Sequence, residues 1–424
     1  MLSEWLGAAD STKLPTLLLI AVSLFIYGTC YHANDTVLPY IVKDIGASKD
    51  YGLLKSWFGV LQLVGGVVLG RAGDEVGGMW ILVLTQLGSA INYGMLGVAK
   101  TETVLFLSFL PALFQQGFQA SVMMVADLSS EASRVKAIGR LSLFYGAGAL
   151  IGPILGGYTS KNFSDRTTVI LSSIVSGIFA LMLLLNNTSH NSKKKSLERK
   201  SVFSASEVVR LARYPRVAGL LLLCLVYSFS GAMLSSMLSE FLRADFNMPV
   251  ETTGLVLSYI EFIRMISQGL VVGAMCDYLT EQHAMMACLL VSVASFAGLV
   301  FASDATHVVV LLLPLTVSGM TGTIISGMLT RLVPHDDTEG VIGLNMAMMS
   351  LAWIFAPIAA EHLNATGGFK IVCGASCVAA VGACAVARLT FAADADCQHS
   401  ASYSIIPDGK SVVAPLSEGS SATN

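Results

Sequence analysis

The chain has 424 residues, a net charge of −3 and a mean hydropathy of +0.69. Asp, Glu, Lys and Arg make up 12% of it, against about 25% in an average soluble domain. So few charges cannot cover a water-soluble fold of this length, and no basic excess marks a nucleic-acid partner.

Apolar blocks long enough to cross a bilayer, about 20 residues each, recur along the whole chain. Twelve are expected, at 15–41, 51–70, 79–99, 103–126, 137–159, 167–186, 216–241, 253–275, 284–302, 306–330, 341–360 and 369–390. Their continuity excludes a membrane β-barrel, whose strands alternate over about ten residues. Residues 1–13 lack a basic region and a cleavage signal, so span one itself serves as the insertion signal. Between spans six and seven, residues 187–215 carry Lys193-Lys-Lys195, Arg199-Lys200 and many serines. They read as a solvated, flexible cytoplasmic linker that helps set topology, with binding of anionic lipid headgroups as the alternative. Residues 392–424, rich in Ser and Ala, read as a disordered tail. The domains expected are therefore 1–186, a six-helix half; 187–215, a linker; 216–391, a second six-helix half; and 392–424, a tail.

With a cytoplasmic amino terminus, sixteen of the 25 basic residues fall on the cytoplasmic side and seven opposite, with Lys55 and Arg264 inside spans. The positive-inside rule favours that orientation, with both termini cytoplasmic. Asn162-Phe-Ser and Asn364-Ala-Thr then fall on the far side, where glycosylation is open to them. Tyr403-Ser-Ile-Ile406 fits a tyrosine-type sorting signal. Neither feature separates the plasma membrane from an endomembrane. Six of the eight cysteines lie in expected spans and Cys276 borders one, with no spacing of a disulfide framework or a zinc site. No metal or other cofactor is expected.

The two halves repeat each other. Gly52 and Ser56 match Gly254 and Ser258; Gly70 and Asp74 match Gly273 and Asp277; Gly139 and Pro153 match Gly343 and Pro357. The offset drifts slowly from 202 to 204, so spans one to six correspond to spans seven to twelve.

Two charges sit within span eight, Glu261 and Arg264. A charge at a helix centre costs about 2.5–3.5 kcal/mol to insert, which marks the pair as functional. Three residues apart, they share a helix face and can pair. Glu261 reads as a protonatable site, since burial and Arg264 act on its pKa in opposite directions; a permanent structural ion pair is the alternative. Through the repeat, Arg264 falls opposite Gln62 of span two, placing a polar group from each half at one level. Asp35, next to Asn34 and one turn from His32, is a second candidate for a cation or a proton; an acid near the outer end of span one, facing water, is the alternative. Lys55 is expected to snorkel to the interface. Gln115, Gln116, Gln119 and Asn345 line a cavity or bond between helices. Met123, Met124, Met346, Met348 and Met349 either face lipid, the favoured reading, or offer an adaptable surface.

Three stretches carry a family resemblance. Gly70-Arg-Ala-Gly-Asp74-Glu-Val-Gly77 resembles the loop signature of the major facilitator superfamily, with Gly70, Asp74 and Gly77 in place and Glu75, Gly78 and Met79 where basic residues stand. Span five, with Gly139, Gly148, Gly152-Pro153 and Gly156-Gly157, resembles the antiporter signature of its drug/proton exchangers at every position. Asn34-Asp35, four residues before Pro39, is similar to the first span of bacterial multidrug exchangers. Phe109 stands where many of these have an Arg in span four. Over 15–390 the chain is further similar to organic cation carriers of solute carrier family 22, through Phe58–Gly66, Gln268–Gly273 and Ala126–Arg140. The resemblance implies an all-α membrane protein of major facilitator fold, with 12 helices in two pseudo-symmetric halves. It implies a latch between halves around Asp74, with Asp277 as its repeat, and a substrate site between the halves. The function implied is exchange of small organic cations or drugs for protons by alternating access, by a monomer that is not an enzyme. Uncoupled facilitated transport, and a membrane scaffold or receptor without flux, are the alternatives.

Overall fold

The computed structural model describes residues 14–128, 131–186, 215–333 and 338–402. The first half comprises α1 (Leu14–Ile45), α2 (Tyr51–Val76), α3 (Gly78–Val98), α4 (Glu102–Ser108), α5 (Gly117–Leu128), α6 (Glu131–Asn162) and α7 (Asp165–Asn186). The second comprises α8 (Pro215–Ala244), α9 (Val250–Ile266), α10 (Val272–Tyr278), α11 (Glu281–Val300), α12 (Ala305–Ser318), α13 (Thr321–Leu332) and α14 (Thr338–Ser402). Most of the expected linker and the tail beyond 402 lie outside the described residues. The last helix continues eleven residues past the expected boundary at 391, through a stretch with no Gly or Pro to stop it.

Among the described residues, ten stretches are long and apolar enough to cross a membrane, an arrangement consistent with twelve crossings. The longest, in α14, is divided at Gly367 and Gly368, whose backbones are not helical. Gly368 has φ 73, a conformation open to glycine at little cost. Gly77, with φ 92, likewise ends α2 and turns the chain into α3. The capping is local: Thr101, Thr280 and Asp304 accept from the N–H groups of Val104, His283 and His307, closing the amino ends of α4, α11 and α12.

Span four is not the continuous helix expected from its hydropathy. α4 stops at Ser108, residues Leu110–Phe114 form a 3₁₀ turn around Pro111, and α5 restarts at Gly117. Proline removes a hydrogen bond and clashes with the preceding turn. Span ten also breaks, between α12 and α13, just beyond Pro314. Each break is braced alike: the Tyr27 hydroxyl donates to the Gln115 carbonyl (2.9 Å) and the Tyr227 hydroxyl to the Ser318 carbonyl (3.2 Å). Carbonyls freed inside a membrane need such partners.

The packing is V-shaped. At the end holding Val37, Ile41, Tyr51, Phe241, Val256 and Ala360, one apolar core includes residues of both halves. At the other end the core divides. One part gathers Leu17, Ile20, Leu82 and Leu183 of the first half, the other Val217, Leu289, Ile325 and Ala387 of the second. The molecule is therefore closed on the face near Gly52 and Gly254 and parted on the face bearing the loops at 77 and 279–280.

Candidate functional site

A cavity of about 720 Å³ lies between the halves, within the range of about 300–1,000 Å³ of small-molecule sites. Glu261 and Arg264 line it, as do Asp35, Gln62, Gln116 and Gln119. Glu261 and Arg264 pair as their spacing permits, Nη1 donating to Oε1 at 2.7 Å. Immediately beyond them, Ser267–Val271 form a π turn, an irregularity frequent at functional sites.

Lys55 corrects the expectation that it snorkels away. Its ammonium pairs with Asp35 inside the cavity wall and lies 5.6 Å from the Tyr51 ring centre. Asp35 thus meets the cavity already holding a cation. Asn34 does not join it: its amide donates to the Cys30 carbonyl at 2.7 Å, and it lines only a side pocket of about 40 Å³. Gln62 faces the cavity while bracing the break in span four. It donates to the Ala112 carbonyl (3.0 Å) and accepts from Gln116 (3.0 Å). Met346 and Met349 face the cavity, whereas Asn345 is buried and donates to Ser326 at 2.9 Å.

The first-half wall is aromatic. Tyr31 packs on Phe58 and His32, and Tyr145 on His32 and Phe118, with ring centres 5.1–5.9 Å apart. Phe58 meets Phe109 edge-on at 6.0 Å, so the span-four position filled by Phe109 is apolar and buried. Trp353, Ser235, Ser350 and Thr316 come from the other half. No sequence pattern singles out Tyr145 or Trp353, since nothing local separates a cavity aromatic from a lipid-facing one.

Beyond the cavity the halves meet tightly, and the repeat appears as geometry. A Cβ on Gly254 would fall 2.2 Å from the Pro153 carbonyl oxygen, and one on Gly52 would fall 2.5 Å from that of Pro357. Each half thus sets a glycine against the other's proline. The Glu361 carboxylate accepts from the N–H groups of Gly52 (2.9 Å) and Leu53 (3.2 Å). It caps α2, whose own preceding residue, Asp50, makes no side-chain cap. Lys161 pairs with Glu251 at 2.5 Å, and the Tyr40 hydroxyl donates to the Met248 carbonyl at 2.9 Å.

The sequence profile of the Major Facilitator Superfamily matches residues 20–357 and, again, 220–402. The chain belongs to the Major Facilitator Superfamily. Among curated relatives, it is 27% identical over 357 residues to solute carrier family 22 member 18 of Mus musculus, covering 81% of this chain and 88% of that one. It is 22% identical over 351 residues to the class E tetracycline resistance protein of Escherichia coli, covering 81% and 86%. Among solved structures, a mutant of the nucleoside transporter NupG superposes with a TM-score of 0.76 at 13% identity, covering 88% of this chain and 99% of that one. That likeness shows the fold.

Gly148, Gly152 and Gly156 form a seam along span one, where Cβ atoms would fall 2.5–2.6 Å from the carbonyl oxygens of Phe25, Thr29 and Ala33. Gly157 lies against Val250 and Glu251 of the opposite half. Gly139 has open space around it. Asp74 lies in the last turn of α2; its side chain is outside the described residues. Gly70 abuts Gln119, while Gly273 and Asp277 are exposed on the parted face.

Proposed function

We propose that this major facilitator is a secondary transporter that exchanges small organic molecules bearing a cationic group for protons, by rocking its two halves about the central cavity. The observation that carries this reading is one cavity between the halves holding Asp35 and Glu261, sealed toward one face and parted toward the other. Asp35 offers the cation a carboxylate. Glu261 is the proton site, its charge balanced by Arg264 while it is ionised. On this reading, Pro153 and the span-five glycines form the bearing on which the halves move, and Asp74 and Asp277 serve the parted face when it closes. Relatives named for tetracycline resistance support a drug-like substrate. With the cytoplasmic termini assigned by the basic residues, the cavity opens to the cytoplasm, the state that loads a molecule for export.

The buried Phe109 favours a second reading, uncoupled facilitated transport, because it leaves span four without the basic residue found there in many exchangers. Flux separates the two. In proteoliposomes, an imposed pH gradient drives accumulation of a labelled organic cation by the wild type, and Glu261→Gln equilibrates the cation without accumulating it. Movement only down the cation's own gradient, alike in both proteins, supports the facilitator and returns Glu261 to a structural role.

A further inference from the structure

The two ion pairs of the cavity present opposite charges to it. In the first half, Asp35 is the exposed partner, 33% accessible against 13% for Lys55. In the second half the order reverses, with Arg264 47% accessible and Glu261 16%. A ligand entering the cavity therefore meets a carboxylate on one wall and a guanidinium on the other. Arg264 gives Glu261 one bond, from Nη1. A guanidinium has five N–H donors in a planar fork, so it retains donors that suit a carboxylate or another planar anion. The aromatic wall of Tyr31, Phe58 and Tyr145, with Trp353 lining the same cavity from the other half, suits a flat body.

We infer that the preferred ligand is amphoteric: a flat aromatic molecule whose cationic group faces Asp35 while its carboxylate sits on Arg264. The charge balance supports this. The two pairs sum to zero, so a dipolar ligand adds no net charge to a cavity within the bilayer. A simple cation would face the Arg264 charge where screening is weak and repulsion strong. Asp35 and Arg264 belong to different halves, so such a ligand ties the halves together and its binding favours closure of the parted face. The inference rests on the reading of this cavity as the substrate site.

The test uses two dyes that share one xanthene cation. Rhodamine B carries a free carboxylate; in its ethyl ester that charge is removed. Fluorescence anisotropy measures binding to the full chain in lipid nanodiscs, with empty discs subtracted. The wild type binds rhodamine B about tenfold tighter than the ester or better, as expected for a charge-assisted pair. Arg264→Gln brings the ratio to about one, Arg264→Lys retains part of it, since the charge stays and the fork is lost, and Asp35→Asn weakens both dyes. Equal or tighter binding of the ester by the wild type overturns the inference, as does an unchanged ratio in Arg264→Gln or binding of neither dye above empty discs. The ratio is an equilibrium property and needs no proton coupling. Gradient-driven uptake of the ester without a preference for rhodamine B therefore defeats this inference and leaves the transporter reading standing.

Discussion

Lys55 and Asp35 stand twenty residues apart on neighbouring spans, and each makes the other tolerable in the membrane. Removing one partner of a fully buried pair costs about 3–5 kcal/mol, while removing both together is often nearly neutral. Asp35 keeps a third of its surface accessible, so Lys55→Ala is expected to cost less, about 1–3 kcal/mol. The double variant Asp35→Asn/Lys55→Gln regains most of that. Thermal unfolding midpoints in detergent check it, and a double variant less stable than Lys55→Ala would contradict the pairing. Glu261 and Arg264 are legible in the sequence because a spacing of three defines a helix face. The Asp35–Lys55 pair is not, because it depends on how α1 crosses α2, which no local pattern states. The same holds for Glu361, which acts only by meeting the amino end of a helix 309 residues away in sequence.

Among elements, the glycine seams divide by what they join. Gly148 packs α6 on α1 within one half, whereas Gly254 packs α9 on α6 across the halves. Gly148→Ala thus pushes against the Phe25 carbonyl in every conformation and lowers overall stability. Gly254→Ala pushes against the Pro153 carbonyl only while the Gly254 face is closed, and shifts the population toward opening there. The expected result is a lowered unfolding midpoint for Gly148→Ala. For Gly254→Ala, thiol labelling of a cysteine introduced at Ser236, in the cavity wall, becomes faster from that face. Equal behaviour of the two variants would contradict the division. The glycine and proline landmarks are readable from residue spacing alone as a repeat, and Gly52, Gly254, Pro153 and Pro357 are also the contacts on which the halves meet. The breaks at Pro111 and Pro314 are not readable in that way, because membrane helices tolerate proline wherever neighbours satisfy the freed carbonyls. Here those neighbours are Tyr27 and Tyr227, some ninety residues away.

The whole molecule is organised by one apolar core that joins the halves at one face and two separate cores that let them part at the other. Hydropathy and the repeat foretell two halves, but the state in which they rest depends on contacts between residues 90 to 309 apart in the chain. Glu361 holds the closed face by capping α2 from the opposite half. Loss of a helix cap costs about 1 kcal/mol, a factor of about five in population, and here it is felt only when that face is closed. Spin-label distances measured across both faces of one protein test alternating access most directly. The eight native cysteines are replaced by alanine. Phe163→Cys with Lys370→Cys reports the closed face, and Val76→Cys with Tyr278→Cys the parted one. Alternating access requires a short distance across the first and a long one across the second in the resting protein. In Glu361→Ala, a population with the two reversed rises about fivefold. Distances that change in the same sense on both faces, or do not respond to Glu361→Ala, would contradict it.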